Sequence, residues 1–443
     1  MKTPLRPAFL LALTCSIMVA CAPGVISPGA TSAHLSPIGL GWARSSVNAV
    51  IFRQHSVVTH GDEQFAAYYD ADGRMILAKR RLGSDSWTVR PTQFRGNVRD
   101  AHNAISIGVD GRGILHVSWD HHGQPLNYAR GVAPGSLELG DPQAQTGRME
   151  GQVTYPGFTM LPGGDLLFLY RDGASGDGDV LLNRYDSRTG RWQAVQHPLI
   201  DGEGARNAYF NRLAVDAQGG WHLSWTWRET PDVASNHDVV YAYSTDEGRT
   251  WRRSTGEAYT LPITASTGEV AWRVPQGSEL INQTSMAVDA AGRPVIATYW
   301  RAEGEEVPQF RLVWRDAQGW RMSQIGTREL AFRLSGGGTK RIPVSRPQVV
   351  AGDGGEVHVI FRDEERGGGI SVATSRSPQR DDWVLRDVWE EPVGLWEPSY
   401  DPVAWERDGR LHLFHQVVGQ GDGETLEDVE PQMVGVLEVG GLR

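Results

Sequence analysis

A chain of 443 residues with 40% hydrophobic and 22% charged side chains can bury a sizeable core, which excludes a disordered polypeptide. Its formal net charge of −10 excludes nucleic acid as a partner, because phosphate binding needs a basic face. Both cysteines, Cys15 and Cys21, lie in the first 21 residues, so disulfides and cysteine-held metals are excluded from the remainder.

Residues 1–20 read as an export signal. Lys2 and Arg6 precede an apolar run from Ala8 to Ala20, too short to cross a bilayer as a folded helix. Met18-Val19-Ala20-Cys21 has the form of a bacterial lipoprotein cleavage box, with Cys21 becoming the lipidated N-terminus. Residues 21–45, rich in Pro, Ser, Gly and Ala as far as about Gly41, are expected to be a flexible tether. The expectation is an exported lipoprotein, at the outer membrane, in the periplasm or on the cell surface, or else a secreted protein. Membrane contact is expected only through that lipid, and a monomer is expected.

From Ser46 to the end no helical period persists beyond two turns, and short alternating runs bounded by Gly, Asp and Asn recur instead. Tight turns fall near residues 62, 110, 163, 216, 289, 353 and 408, each followed by an apolar strand such as Leu115–Trp119 or Trp221–Trp225. Most units add a third strand and a Trp-bearing turn. Ser244-Thr245-Asp246-Glu247-Gly248-Arg249-Thr250-Trp251 matches the Asp-box pattern S-x-D-x-G-x-x-W in full. In that motif the Asp bonds the turn backbone and the Trp packs between sheets, so its role is structural. Seven units of about 50 to 70 residues, each worth about four strands, predict an all-β, seven-bladed β-propeller over residues 46–443. Met433 to Val439 is expected to be a closing strand.

One hairpin stands out. From Asp100 to Arg130 the chain reads DAHNAISIGVDGRGILHVSWDHHGQPLNYAR. An antiparallel pair places the start of its first strand beside the end of its second, so His102 and His122 are expected at one sheet edge, with Asn103 and Asp120 available to orient the rings. The same positions in the other units provide Tyr155, Tyr209, Asn211, Asn282, Gln283, Arg346 and Tyr400 at first-strand starts. Second-strand ends provide Arg171, Arg228, Arg301, Arg362 and His415. Arginines, amides and tyrosines on one face of an acidic protein predict a site for an anionic, hydroxylated ligand. The expected substrate-binding set is Asn103, Tyr209, Asn211, Arg228, Asn282, Arg301, Arg346, Arg362 and Tyr400.

The catalytic set expected is His102, His122, Tyr155 and Arg171. Two imidazoles, a phenol and a guanidinium suit abstraction of a proton next to a carboxylate. In β-elimination from a uronic acid polysaccharide, Arg171 would pair with the carboxylate and stabilise the enolate-like transition state. A His or Tyr takes the C5 proton and another group protonates the leaving O4. No cofactor and no metal site is expected.

DAHNAISIGVDGRGILHVSWDHH, followed by TYPGF and LYRDG, resembles the seven-bladed propeller polysaccharide lyases that degrade ulvan, the sulfated rhamnose–uronate polymer of green algae. The resemblance is strongest over residues 95 to 200. It implies endolytic elimination at the bond from 3-sulfated rhamnose to glucuronate or iduronate, leaving a 4,5-unsaturated uronate. It maps the family's two site histidines onto His102 and His122, its Tyr onto Tyr155 and its carboxylate-neutralising Arg onto Arg171. On that basis His102 and Tyr155 form the base and acid pair and His122 supports them. A structural metal held partly by cysteine in some members has no counterpart here. Two other classes compete: a sialidase-like propeller glycoside hydrolase, which needs paired carboxylates or a Glu-activated Tyr, and a non-catalytic glycan-binding lipoprotein.

Overall fold

In the computed structural model, which describes Met1 and residues 32–442, the hairpin read from sequence is present. Ile105–Val109 pairs antiparallel with Leu115–Trp119, Ile105 facing Trp119 and Val109 facing Leu115. The turn between them is set by Asp110, whose Oδ1 accepts hydrogen bonds from the Arg112 and Ile114 amides, both at 2.9 Å. Gly113 takes φ +79°, a conformation costly for a residue with a Cβ. Asp216 and Asp289 repeat the device, accepting from the amides two and four residues on. The Asp box also forms: Asp246 Oδ1 accepts from Thr250 N at 2.9 Å, and Trp251 is fully buried with Nε1 donating to Gly248 O.

Among the described residues the strands form six sheets. Three are four-stranded meanders: Val57–His60 to Thr88–Arg95, Ser285–Val288 to Gly319–Gln324, and Gln348–Ala351 to Val384–Trp389. A three-stranded sheet holds the Ile105–Val109 hairpin and Tyr128–Arg130. A ten-stranded sheet runs from His122–Gln124 through Val153–Met160 to Glu269–Trp272, its two halves joined in parallel, by Gly178 with Asn207 and by the isolated bridge of Ile200 with Ile263. The sixth sheet unites the two ends of the described chain: Ala33–Gly41 pairs with Gln432–Val439, which pairs with Leu411–His415. The strand expected at the chain end is therefore present. Part of the stretch expected to be a tether is instead structured: residues 33–41 are a strand in which Ser36 and Gly41 are buried and Leu35 and Ile38 pack against the core. Apart from Met1, the expected signal segment, Cys21 and the start of the tether lie outside the described residues.

Apolar side chains fill the spaces between neighbouring sheets. Trp225, Trp227, Trp251 and Trp396 are among the largest fully buried side chains, each worth roughly 4–6 kcal/mol of transfer free energy as an upper bound. Turns at 60–61, 110–111, 162–164, 216–217, 289–290 and 352–353 surround one cavity of about 720 Å³. The seventh position is taken by the short α-helix Pro402–Asp408, not by a strand turn. Asp401 caps the helix and also binds Thr59 and Gln64 of the first meander.

Candidate active site

At the end of the molecule reached by the second-strand ends, Asp100 caps a single 3₁₀ turn, Ala101–Asn103, by accepting from His102 N. The same carboxylate holds two imidazoles. Oδ1 lies 2.8 Å from His102 Nδ1 and Oδ2 lies 2.6 Å from His122 Nδ1. The two rings stack, with centroids 3.9 Å apart and planes 9° from parallel, and Phe52 stacks on the other face of His102. With each Nδ1 turned to Asp100, each Nε2 is left for a ligand. Asp100, His102 and His122 offer ligand-type atoms within 4.8 Å of one another, but these short hydrogen bonds account for them as an Asp-bridged pair.

His122 opens a short strand that pairs with the next unit, His122 facing Thr154. Thr154 Oγ1 accepts from both Gly123 N at 2.9 Å and Arg171 Nη2 at 3.0 Å, so one hydroxyl sets the spacing between the His pair and Arg171. Immediately after it, the ladder bulges between Thr154 and Gly157 and Tyr155 takes φ +57°. A left-handed non-glycine residue costs about 1–3 kcal/mol and persists where its surroundings over-determine it. Here the bulge turns the Tyr155 ring toward Phe52, His102 and Tyr209, with the Arg171 guanidinium 5.1 Å from its centroid.

Arg171 and Arg228 are buried, line the cleft and make no ion pair with a carboxylate among the described residues. Arg171 Nε is buried without a partner. Arg346, across the cleft, is fully engaged by Glu397. Burial opposes a charge on His102, but Asp100 and Glu424 outweigh it and lift its pKa to about 9. Burial and the neighbouring His102 charge push His122 down. Burial, reinforced by Tyr209, raises the Tyr155 phenol despite three nearby guanidiniums, whereas Arg171 and Arg228 outweigh burial and lower Tyr209. The cleft, about 140 Å³, can hold an anionic group between two guanidiniums and present protonated and unprotonated groups to one ring.

A family model described as BNR repeat-containing family member matches residues 63–328, more than half of the chain. The chain belongs to this family. A comparison of the BNR-repeat protein with curated protein sequences finds no match. Among solved structures it is similar to the polysaccharide lyase Uly1, with TM-score 0.64, 16% identity, and coverage of 88% of this chain and 90% of that one. It is also similar to a PL25 ulvan lyase, with TM-score 0.65, 13% identity, and coverage of 90% and 95%. That lyase has also been solved bound to -[GlcA(1-4)Rha3S]-. At these identities the likeness shows the fold: all-β and propeller-like.

In this BNR-repeat protein His102, His122, Tyr155, Arg171, Tyr209, Arg228, Asn282 and Arg346 line one cleft. Five expected binding residues do not, and structural contacts hold each of them elsewhere. Asn103 Nδ2 donates to Asn97 O and its backbone carbonyl accepts from the Tyr69 hydroxyl. Asn211 bonds Ser224 Oγ and Thr284 N. Arg301 is paired with Glu279. Arg362 is buried against the carbonyls of Ile342 and Trp396. Tyr400 accepts from Arg212, which lines the cavity among the turns. Asp120, expected to orient a ring, instead accepts from Asn97 N. The orienting group is Asp100, visible in the spacing Asp-x-His; Glu424, 323 residues from Ala101, which it also binds, sets a second carboxylate on His102 and is carried by no sequence signal. Phe52, Thr339 and Lys340 also belong to the wall and were likewise unmarked.

Proposed function

We propose that the protein is a polysaccharide lyase cleaving a sulfated, uronate-containing polymer, ulvan first among candidates, by β-elimination on a seven-bladed β-propeller. The reading of seven blades is supported by dividing the ten-stranded sheet where Gly178 pairs in parallel with Asn207, which gives seven units to set beside the six turns and one helix around the axial cavity.

One observation carries the functional reading: Arg171, buried with its Nε unpartnered, and Arg228, held only by the Thr230 and Pro231 carbonyls and the Tyr209 hydroxyl, face the same cleft as a stacked His pair and a phenol, neither paired with a carboxylate among the described residues. A buried unpaired charge is unfavourable until an anion meets it, and a uronate carboxylate is an anion beside an abstractable proton. In the reaction the C5 proton passes to His122 Nε2, whose ring is held neutral with Nδ1–H on Asp100. The C5–H electrons form the C4=C5 bond, the C4–O4 bond breaks, and Tyr155 gives its proton to O4. Arg171, with the His102 imidazolium, offsets the charge that develops on the carboxylate. Within this reading the two imidazoles exchange the roles expected from sequence, because the second carboxylate on His102 keeps it charged. Each proton transfer contributes about 10²- to 10⁴-fold. A retaining or inverting hydrolase would instead set a free carboxylate pair across the scissile bond, whereas Asp100 and Glu424 are turned onto imidazoles.

The test is a panel of ulvan, glucuronan, pectin, alginate and glycosaminoglycans followed by ultraviolet absorbance, which rises only when a conjugated unsaturated uronate forms. Absence of that rise with every polymer, while reducing ends appear, would replace elimination with hydrolysis. Export and lipidation at Cys21 belong to the same proposal, as does a monomeric state. Detergent partitioning of the native protein against Cys21→Ser tests the anchor, and light scattering tests the mass.

A further inference from the structure

We infer that Glu424 is a positioning residue of this site, holding the His102 imidazole as an imidazolium whose Nε2–H serves the cleft. The catalytic consequence rests on the lyase reading; the protonation state does not.

Glu424 arrives on the turn Asp422–Glu424, in the last loop of the chain, where Gly423 and Glu424 both take positive φ, +61° and +67°. A glutamate in that conformation is disfavoured unless its side chain is needed where the turn puts it. Its carboxylate ties this loop to two other segments, the Ala101–Asn103 turn and the chain at Thr339. Oε2 accepts from Ala101 N at 3.0 Å, Oε1 accepts from Thr339 N at 2.6 Å, and Oε1 lies 3.0 Å from His102 Nδ1. Gly423 N donates in turn to Thr339 O at 2.9 Å, tying the glycine-rich wall of the cleft, residues 335–340, to the same point.

Asp100 alone fixes the tautomer and direction of His102. A second carboxylate on the same ring nitrogen adds no orientation that the first lacks, so its effect is charge. Neither Asp100 nor Glu424 has a lysine or arginine partner among the described residues, and their ion pairs are with His102 and His122 alone. Two partly buried carboxylates around one ring are stable together when that ring is positive. The groups facing His102 are Asp100 and Glu424, neutral His122 stacked on one face, and the phenols of Tyr155 and Tyr209, while apolar Phe52 covers the other face. Arg171 lowers the neighbouring His122. The stack thus gives one imidazole a charge and leaves the other neutral.

The test is an NMR titration of the ring nitrogens in the full chain, with a pH profile of kcat/KM on whichever polymer is cleaved. In the native protein His102 keeps both ring protons through neutral pH. Glu424→Gln lowers its titration point by about one to two pH units, and the alkaline limb of kcat/KM moves down with it. Glu424→Asp, which keeps the charge at greater distance, moves both in the same direction by less, and it answers the question if the glutamine variant does not fold. His102 titrating at or below about 6.5 in the native protein, or no movement in the variants, overturns the inference. If no uronate polymer is cleaved, the lyase reading fails on its own and the ring titration still decides the role of Glu424.

Discussion

Arg171 and Tyr155 are neighbours across one bulge, yet their substitutions separate cleanly. Arg171 reaches Thr154 through one arm and leaves its Nε buried without a partner, a donor fork suited to a carboxylate. Lysine keeps the charge but loses the planar pair of donors. Arg171→Lys is therefore expected to lower kcat by about 10²- to 10³-fold, the size of losing one preorganised donor to a developing charge, in steady-state assays. Tyr155 lines the cleft and its ring makes the packing contacts. Tyr155→Phe should lose about 10²- to 10⁴-fold in turnover while its unfolding free energy stays within about 0.5 kcal/mol, read by urea titration. At this scale the sequence showed which side chains converge, because all four catalytic candidates sit within one hairpin and its successor. It misjudged which carboxylate orients them. Asp120 adopts φ +66° and turns away to Asn97, and no local pattern foretells that.

The repeating element is the aspartate turn. Asp216 Oδ1 accepts from Gln218 N at 2.8 Å and Gly220 N at 2.7 Å, and Oδ2 takes His222 Nε2 at 3.0 Å. Asp216→Ala leaves those partly buried groups unmatched, and destabilisation by about 1–3 kcal/mol is expected in equilibrium unfolding, with cleavage kinetics unchanged because the turn lies by the axial cavity. Turns of adjoining units also touch directly: Gly111 N donates to Gly164 O at 2.7 Å, and a Cβ on Gly111 would stand 2.7 Å from Gly164 Cα. The Asp-x-x-Gly pattern announced these turns in the sequence, since both the side-chain acceptor and the left-handed glycine are local requirements. The helix Pro402–Asp408 escaped because seven residues are too few to show a period, and its cap, Asp401, is justified by contacts to Thr59 and Gln64 far away in the chain.

At the scale of the molecule, closure depends on one strand from each end. Ala33 faces Val439 and Gly41 faces Gln432, so deletion of residues 432–443 removes the partner of both Ala33–Gly41 and Leu411–His415. Loss of a cooperative thermal transition is expected in calorimetry. Stability should also depend on pH from both sides of the histidine range. His102, raised to about 9, contributes stability that is complete below its unfolded value of about 6.5 and is lost as pH rises through about 9. His121 and His415, lowered by burial to about 3 and about 4, contribute in the opposite sense, with stability lost as pH falls below about 6.5 toward those values. Melting temperatures across this range should pass through a maximum near the middle, and His121→Asn should flatten the acid side.

What the sequence determined by itself was whatever depends on neighbours along the chain: period-two strands, aspartate turns, the Asp box with Trp251 inside, and the His–His–Tyr–Arg set carried by consecutive strands. The tertiary structure decided the rest. Residues 33–41 became a strand because a free edge at Val439 was there to pair with them, although their Ser-Pro and Gly-Leu-Gly content reads locally as a tether. Glu424 became part of the cleft because closing the ring of sheets carries the last loop against Ala101 and Thr339. A side chain's electrostatic value depends on distance in space, and sequence separation does not encode that distance once sheets from both ends of a chain share one axis.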